Sequence, residues 1–414
     1  MLLAPLLRSI SFLLACGILP AFADDWPEFR GPSHDGHSSS AQVPLKWSDR
    51  ENIRWKVPIP GKAWSTPVVA GNRIFVTTSA PKRQDLSLQA RCYDLTTGDL
   101  LWEQEVFEVE DGKIHQKNSQ ASPSPIFESG RLYVHFGHNG TACLNSNDGA
   151  LIWKQTSLPY EPVHGNGGSP LLFKDRLIFS CDGKEDPFVV ALNKTDGSIL
   201  WRKNREVKVT KAFSFSTPIA IEVKGKSQII LPGSGAVISY DPANGSELWR
   251  FLYGEGYSVV PRPVYSTGII YVCSGFNQAN LFAIKVDGQG DVTDSHLVWD
   301  ETKTIPKESS PIIVDDLLYI NDDKGILTCF DAATGDVHYR ERLDGKGGFS
   351  SSPVYASGHL FFHSGEGITT VIKPGSKFEK VAENDIREFG LSSFAVISDG
   401  FLIRTEENLI RIGK

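Results

Sequence analysis

The chain is poor in sulfur, with six cysteines and one methionine in 414 residues. No two cysteines are adjacent, and no Cys-x-x-Cys-His run occurs, which excludes a vicinal disulfide and covalent haem attachment. There is no nucleophile elbow, phosphate loop or His-Glu-x-x-His motif, so the sequence signatures of hydrolases, nucleotide-binding enzymes and zinc peptidases are missing. Charge of one sign never accumulates in a long run, and the net charge is -7. The clustered basic surface that nucleic acid requires is therefore lacking, and no nucleic-acid partner is expected. Beyond residue 23 no apolar stretch is long enough to span a bilayer. No 11-residue window carries helical periodicity.

The first residues differ from the rest. Arg8 is the only charge before Asp24, and an apolar stretch from Ile10 to Leu19 leads to Pro20 and Ala21-Phe22-Ala23. This order reads as a signal peptide over residues 1–23 and an exported protein, periplasmic or extracellular. The alternative is a lipoprotein anchored through Cys16.

What the chain has in quantity is repetition. "CYDLTTGDLLW" (Cys92–Trp102) returns as "CLNSNDGALIW" (Cys143–Trp153), "ALNKTDGSILW" (Ala191–Trp201), "SYDPANGSELW" (Ser239–Trp249) and "CFDAATGDVHY" (Cys329–Tyr339). A stretched copy runs from Ala283 to Trp299. Each copy follows a small residue, a Pro, an apolar run, a turn and a second apolar run. Eight such starts, the last without the Pro, occur at intervals of 41 to 58 residues. That period marks a solenoid, propeller or array. β-branched and aromatic content with Gly, Asn and Asp turns makes each unit four strands, and four-stranded units of this period make a propeller. The last unit has room for only three strands. "NIRWKVPIP" (Asn52–Pro60) supplies the fourth and puts Trp55 in the Trp slot. The expected fold is all-β, an eight-bladed propeller over residues 52–414 behind a leader over 24–51. Seven blades is the alternative, because the seventh repeat has no Trp near Val381.

The Trp slot (Trp55, Trp102, Trp153, Trp201, Trp249, Trp299 and Tyr339) is read as structural, each ring lying on a neighbouring blade. Burying one indole contributes at most roughly 4–6 kcal/mol gross. Cys92, Cys143 and Cys329 share one slot of the repeat, and Cys181 and Cys273 share another. Equal slots sit in different walls of the ring, so these are packing residues and not disulfide partners.

The small-x-Asp-x-x-Thr-Gly-x-x-x-Trp pattern resembles the tryptophan-docking motif of pyrroloquinoline-quinone (PQQ)-type β-propellers. The leader "DWPEFRGPSHDGHS", the run "NIRWKVPIPGKAWSTPVV" and "GQGDVTDSHLVW" are similar to secreted PQQ-like repeat proteins of planctomycete type. The resemblance implies one of two functions. One branch holds quinoprotein alcohol and sugar dehydrogenases, in which PQQ lies on a Trp and is polarised by a calcium ion held by Glu, Asn and Asp. The other includes the propeller lipoprotein of the outer-membrane barrel-assembly machinery, a non-catalytic scaffold. The chain offers no local motif onto which the calcium ligands or the base can be carried. The expectation is a binding or scaffold module with no cofactor, taking a protein partner or an anionic small molecule. A PQQ-dependent oxidoreductase with calcium is the alternative.

Candidate site residues lie on the loops that lead from one blade into the next. Asp287, Asp291 and Asp294 are carboxylates in one turn, at a spacing unlike an EF-hand loop. His115 and His164 sit on successive inter-blade loops and form a candidate metal or acid–base pair. Trp64 and Phe349 precede innermost strands and are candidates for stacking on a ligand. The eight residues before each innermost strand hold Lys62, Lys117, Lys211, Arg262, Lys303, Lys307, Lys346 and Arg387 against Glu255, Glu308 and Glu388. Eight against three is a local positive excess that would draw an anionic ligand or acidic segment to the channel mouth. Lys62, Trp64, Lys117, His164, Lys211, Arg262, Lys307, Lys346 and Phe349 are accordingly the expected ligand-binding set. No catalytic residue and no metal ligand is assigned.

Ring closure gives a first prediction. Deleting residues 24–60 strips the last blade of its outer strand and exposes a sheet edge. The truncated protein is expected to melt well below the intact one or to aggregate. A midpoint within a few degrees would take that strand out of the ring.

Overall fold

The structure is a computed structural model describing residues 25–38, 41–277 and 279–414. The signal-like segment and Cys16 lie outside the described residues. Eight sheets of four antiparallel strands form an eight-bladed propeller. Within the blades consecutive strands pair in order from the axis outward. Blade 1, for example, comprises Val68–Ala70, Arg73–Lys82, Asp85–Asp94 and Leu100–Glu110. Blade 8 takes its three inner strands from Ala395–Ile397, Gly400–Arg404 and Asn408–Gly413, and its outer strand is Ile53–Pro58. Trp55 pairs with Arg411 there, so the two ends of the ring are joined by backbone hydrogen bonds within one sheet.

The repeated motif is explained by register. The small residue on the third strand lies opposite the aromatic on the fourth: Cys92 faces Trp102, Cys143 faces Trp153, Ala191 faces Trp201 and Cys329 faces Tyr339. Anything larger opposite the indole would push it off the sheet. The turn between these strands is held by its own Asp or Asn. Asp94 Oδ1 accepts N–H groups from Thr96 and Thr97 at 2.7 and 2.9 Å, as Asp side chains do in tight turns.

Each indole docks on the next blade's copy of that turn. Trp55 Nε1 donates to Leu95 O at 3.0 Å, Trp102 to Ser146 O at 3.1 Å, Trp153 to Lys194 O at 3.0 Å, Trp201 to Pro242 O at 3.0 Å and Trp299 to Ala332 O at 3.0 Å. The ring covers the turn glycine. A Cβ on Gly197 would sit 2.5 Å from Trp153, and φ there is +74°. Glycine is thus required twice, for its backbone conformation and for the indole above it.

Three blades solve the docking differently. In blade 6 the slot holds Tyr339, whose ring packs edge to face on Phe378 of blade 7. Trp249 of blade 4 is fully buried and donates to Gln228 Oε1 of its own blade at 2.9 Å. The stretched fifth repeat has lost the usual turn, and its insertion lays Gly290–Asp291 as a parallel fifth strand beside Trp249 and Arg250. In blade 7 the slot holds Ala382, which pairs with Val371. There the leader's Trp47 packs against Phe361 of blade 7 and Phe394 and Phe401 of blade 8. The leader therefore provides an aromatic between blades where the repeat has none. The five described cysteines are all free and buried, in line with packing roles.

The turn glycines allow a controlled comparison. Gly268, between the first two strands of blade 5, has φ +86° and open space where a Cβ would stand. Gly268→Ala is expected to cost about 1 kcal/mol, from its backbone conformation alone. Gly197→Ala carries the same backbone cost and must also displace Trp153, which adds about 1–3 kcal/mol. Denaturant unfolding of both variants measures the difference, and equal losses would show that the indole does not press on the turn.

Candidate functional site

The loop that enters each innermost strand ends on a hydroxyl residue in seven of the eight blades: Thr66, Ser124, Ser169, Thr217, Ser310, Ser352 and Ser393. These residues form a belt around the axis. The backbone N–H of one donates to the hydroxyl of the next: Thr66 to Ser124, Ser124 to Ser169, Ser169 to Thr217, Ser310 to Ser352 and Ser352 to Ser393, at 2.9–3.0 Å. Arg262 stands in the remaining position. Its N–H donates to Ser310 Oγ at 3.0 Å, and its Nε donates back to Pro218 O at 3.0 Å. At the seam between blades 8 and 1 the buried Arg404 donates to Thr77 O at 3.0 Å and to Gly61 O at 2.9 Å. Burial pulls the Arg404 guanidinium down to about 9.

Inside the belt, on the face of the inter-blade loops, lies a cavity of about 310 Å³. Ser124, Ser169, Thr217, Ser352 and Ser393 line its wall, with Phe29 of the leader and the aromatic rings of Trp64, Phe215, Tyr257 and Phe276. His115 and His164 meet on one side, ring centroids 5.3 Å apart and edge to face. Asn118 Nδ2 donates to His164 O at 2.9 Å and fixes the two loops together. Burial, His115 and Lys211 lower the pKa of His164, so it favours the neutral ring. Glu308 is the only carboxylate among the lining residues, and Lys117 Nζ holds it at 2.9 Å across the mouth. Ser350 Oγ donates to the other oxygen of Glu308.

Of the residues expected from sequence, Trp64, Lys117 and His164 line this cavity. Three lysines stand at its rim over aromatic faces: Lys62 is 5.7 Å from the Trp64 ring, Lys211 4.3 Å from Tyr257 and Lys307 4.9 Å from Phe276. Lys346 is exposed beside Glu366, away from the cavity. Phe349 is buried between blades 6 and 7, over Gly325. Arg262 is fully buried beneath the cavity and not on its wall. Asp287 pairs with Lys224 at 3.1 Å and Asp291 caps Thr293. Among the described residues no three His, Cys, Asp or Glu side chains converge to hold a metal. Sequence reasoning missed Phe29, Phe215, Tyr257, Phe276 and the hydroxyl belt. The belt was legible as the repeated Ser or Thr before Pro, which reads as a mere strand start when each copy is taken singly.

A PQQ–calcium group needs an aromatic floor with a carboxylate–amide cluster beside it. Aromatic rings are present in Trp64 and Phe29, but the single carboxylate among the described lining residues is committed to Lys117 and Ser350. The residues do not fit the calcium half of that group, and no step is derived through it.

The ring with its docked indoles defines the class: a PQQ-like repeat propeller. The family model described as outer membrane protein assembly factor BamB matches residues 89–341 and 291–375, and the chain belongs to that family. It is 25% identical over 289 residues to the outer membrane protein assembly factor BamB of Shewanella oneidensis and 22% identical over 257 residues to that of Yersinia pestis. These matches span 66% and 60% of this chain, and 62% and 60% of the relatives, less than two thirds of either. The BamB crystal structure from Moraxella catarrhalis superposes with a TM-score of 0.62 at 11% identity, over 87% of this chain and 97% of that one. The quinohemoprotein alcohol dehydrogenase of Comamonas testosteroni gives 0.66 at 11% identity, over 94% and 80%. Likeness at that identity speaks for the fold alone.

Behind the cavity wall Asp182 shares a small enclosed space with Gly165–Gly168 and Ser180, and both of its carboxylate oxygens are buried. Burial raises its pKa from 3.8 to about 6, against the pull of Arg205 and of the Ser180 hydroxyl. An acid raised on folding prefers its neutral form, so the stability it supports is full below its ordinary pKa and is lost as pH rises through about 6. Asp182→Asn is expected to raise stability at pH 7 by up to about 3 kcal/mol and to change it little at pH 4. Thermal melts at the two pH values measure this, and equal effects would show that the carboxylate charge is not the cause.

Proposed function

We propose that this protein is an exported binding propeller that docks a protein partner at the inter-blade-loop face, an acidic segment entering the mouth. The observation that carries this reading is the mouth itself. Lys62, Lys211 and Lys307 lie over aromatic rings around a cavity whose one carboxylate is already neutralised. Cations held over rings in a partly desolvated rim favour an incoming carboxylate more than the same cations in open solvent. The assembly-factor name of the relatives supports a protein partner over a small substrate. Export rests on the residue order of positions 1–23, with lipid attachment at Cys16 as the alternative processing. The rival reading, a PQQ-dependent oxidoreductase of alcohols or sugars, needs the carboxylate–amide cluster that the lining residues do not supply.

The test places a photo-crosslinking amino acid at Tyr257, at the mouth, and separately at Asn244, on a turn of the opposite face. A partner adduct is expected from position 257 only, and Lys211→Glu with Lys307→Glu should abolish it. The loss should be mimicked by high salt. Equal adducts from both positions, or adducts indifferent to the charge reversal, would remove the mouth as the docking site. Stoichiometric PQQ binding with turnover of an alcohol or aldose would replace this reading by the enzymatic one.

A further inference from the structure

We infer that the leader residues 25–38 form the floor of the cavity, and that Arg262 is the positioning residue that latches them there. The first observation is the break in the belt. Seven blades carry Ser or Thr before the innermost strand and one carries Arg262. A serine there could complete the hydroxyl ring, as its seven counterparts do. The arginine is fully buried and instead reaches into the axis, where Nη1 donates to Phe29 O at 2.7 Å and to Glu28 Oε1 at 3.2 Å. A guanidinium is the side chain that can span from the belt to the leader and hold two acceptors at once.

The leader comes from the other face. Trp26 pairs with Val69 on the innermost strand of blade 1, Phe127 N donates to Pro27 O at blade 2, and Ser38 N donates to Tyr355 O at blade 7. Between these anchors the segment folds on itself. Gly36 N donates to Arg30 O at 2.9 Å, and Gly31, at φ +75°, leaves room for the Trp26 ring, 2.7 Å from where a Cβ would stand. Arg30 is buried and donates to Pro311 O at 2.8 Å, at the blade 6 position of the belt. The two buried guanidinium groups, Arg30 and Arg262, face Asp35 and Glu28, with His34 against Glu28 and His37 against Asp35. The segment is thus a plug in which two buried guanidinium groups, one of them from blade 5, meet two carboxylates. Phe29, held by its own carbonyl on Arg262, presents its ring to the cavity.

The cavity is therefore blind. A ligand or partner side chain entering from the loop face meets the Phe29 ring, and the far face is closed by the leader. The depth of the site, and so the length of group it accepts, is set by a segment distant in sequence from the loops that make its walls. This holds whatever the occupant, and its test needs none.

The five described native cysteines are buried and free, so an introduced thiol can report on the floor. In a Cys16→Ser background, Phe29→Cys is expected to react with a small methanethiosulfonate through the mouth and to resist a bulky polyethylene-glycol maleimide. Adding Arg262→Ser should release the floor and speed the bulky reaction by about tenfold or more, with one adduct per chain. Arg262→Lys, which keeps a donor for Phe29 O, should restore part of the protection. An unchanged bulky rate in Arg262→Ser would overturn the latch. Several adducts per chain would mean that the ring itself had opened. In that case Glu28→Ala decides, a single accelerated adduct supporting the latch and the parental rate refuting it.

Discussion

A ring of eight sheets has to be tied at two radii, because a blade fixed only near the axis is free to splay at the rim. Here the inner tie is the hydroxyl belt, one backbone N–H to one side-chain oxygen per step. The outer tie is the indole resting on the next blade's turn glycine. Both are made of small, repeatable parts, and both need the ring to be complete. The last sheet is assembled from both ends of the described propeller, which closes the ring within one sheet.

Seen against those two ties, the departures from the repeat are each matched by something added. The fifth repeat loses the turn that should receive Trp249, and its insertion returns as a fifth strand over that same indole. The seventh repeat has Ala382 for Trp, and Trp47 of the leader packs between the blades concerned. The belt lacks a hydroxyl at Arg262, which closes the step through Pro218 O. At the seam with blade 1, Arg404 makes the equivalent link. Buried guanidinium groups are costly to desolvate, and backbone carbonyls at these seams are acceptors that would otherwise go short of donors.

The repeat was legible because it is periodic and short-ranged: a strand, a turn Asp, a Gly and a Trp within eleven residues state their own pairing. The eight-blade count followed from it, and so did the role of residues 53–58, since a Trp in the right slot identifies an outer strand wherever it stands in the chain. The leader's course was not legible. Nothing local to Trp26, Phe29 or Trp47 says which blade each will meet, because their partners lie as far away as Val69, Arg262 and Phe361. Phe349 shows that the register of the repeat decides the outcome. Trp64 stands three residues before Pro67 and lines the cavity, as does Ser350, three before Pro353. Phe349 stands four before Pro353, and its ring is sealed over Gly325.

The charge at the mouth shows most clearly why counting is a poor substitute for geometry. The sequence places eight basic residues against three acidic ones on the loops that lead to the axis. Arg262 spends its charge inside the plug on Glu28, and Arg387 lies 4.0 Å from Asp49 and from Asp385. Lys117 is held by Glu308, and Lys303 and Lys346 are exposed and not among the residues lining the cavity. What remains at the rim is Lys62, Lys211 and Lys307, and each is drawn over an aromatic ring instead of a carboxylate. A ring face satisfies a cation only in part, at about 0.5–2 kcal/mol. Lys62 Nζ also donates to Gln116 O at 3.0 Å and Lys211 Nζ to Tyr257 Oη at 3.2 Å, which leaves each ammonium further donors for a carboxylate. The field at the mouth is thus smaller than the count implies, yet it is made of cations without a competing ion pair. A ligand therefore has to displace no existing salt bridge to engage them, and the ion pair among the described lining residues is Lys117 with Glu308.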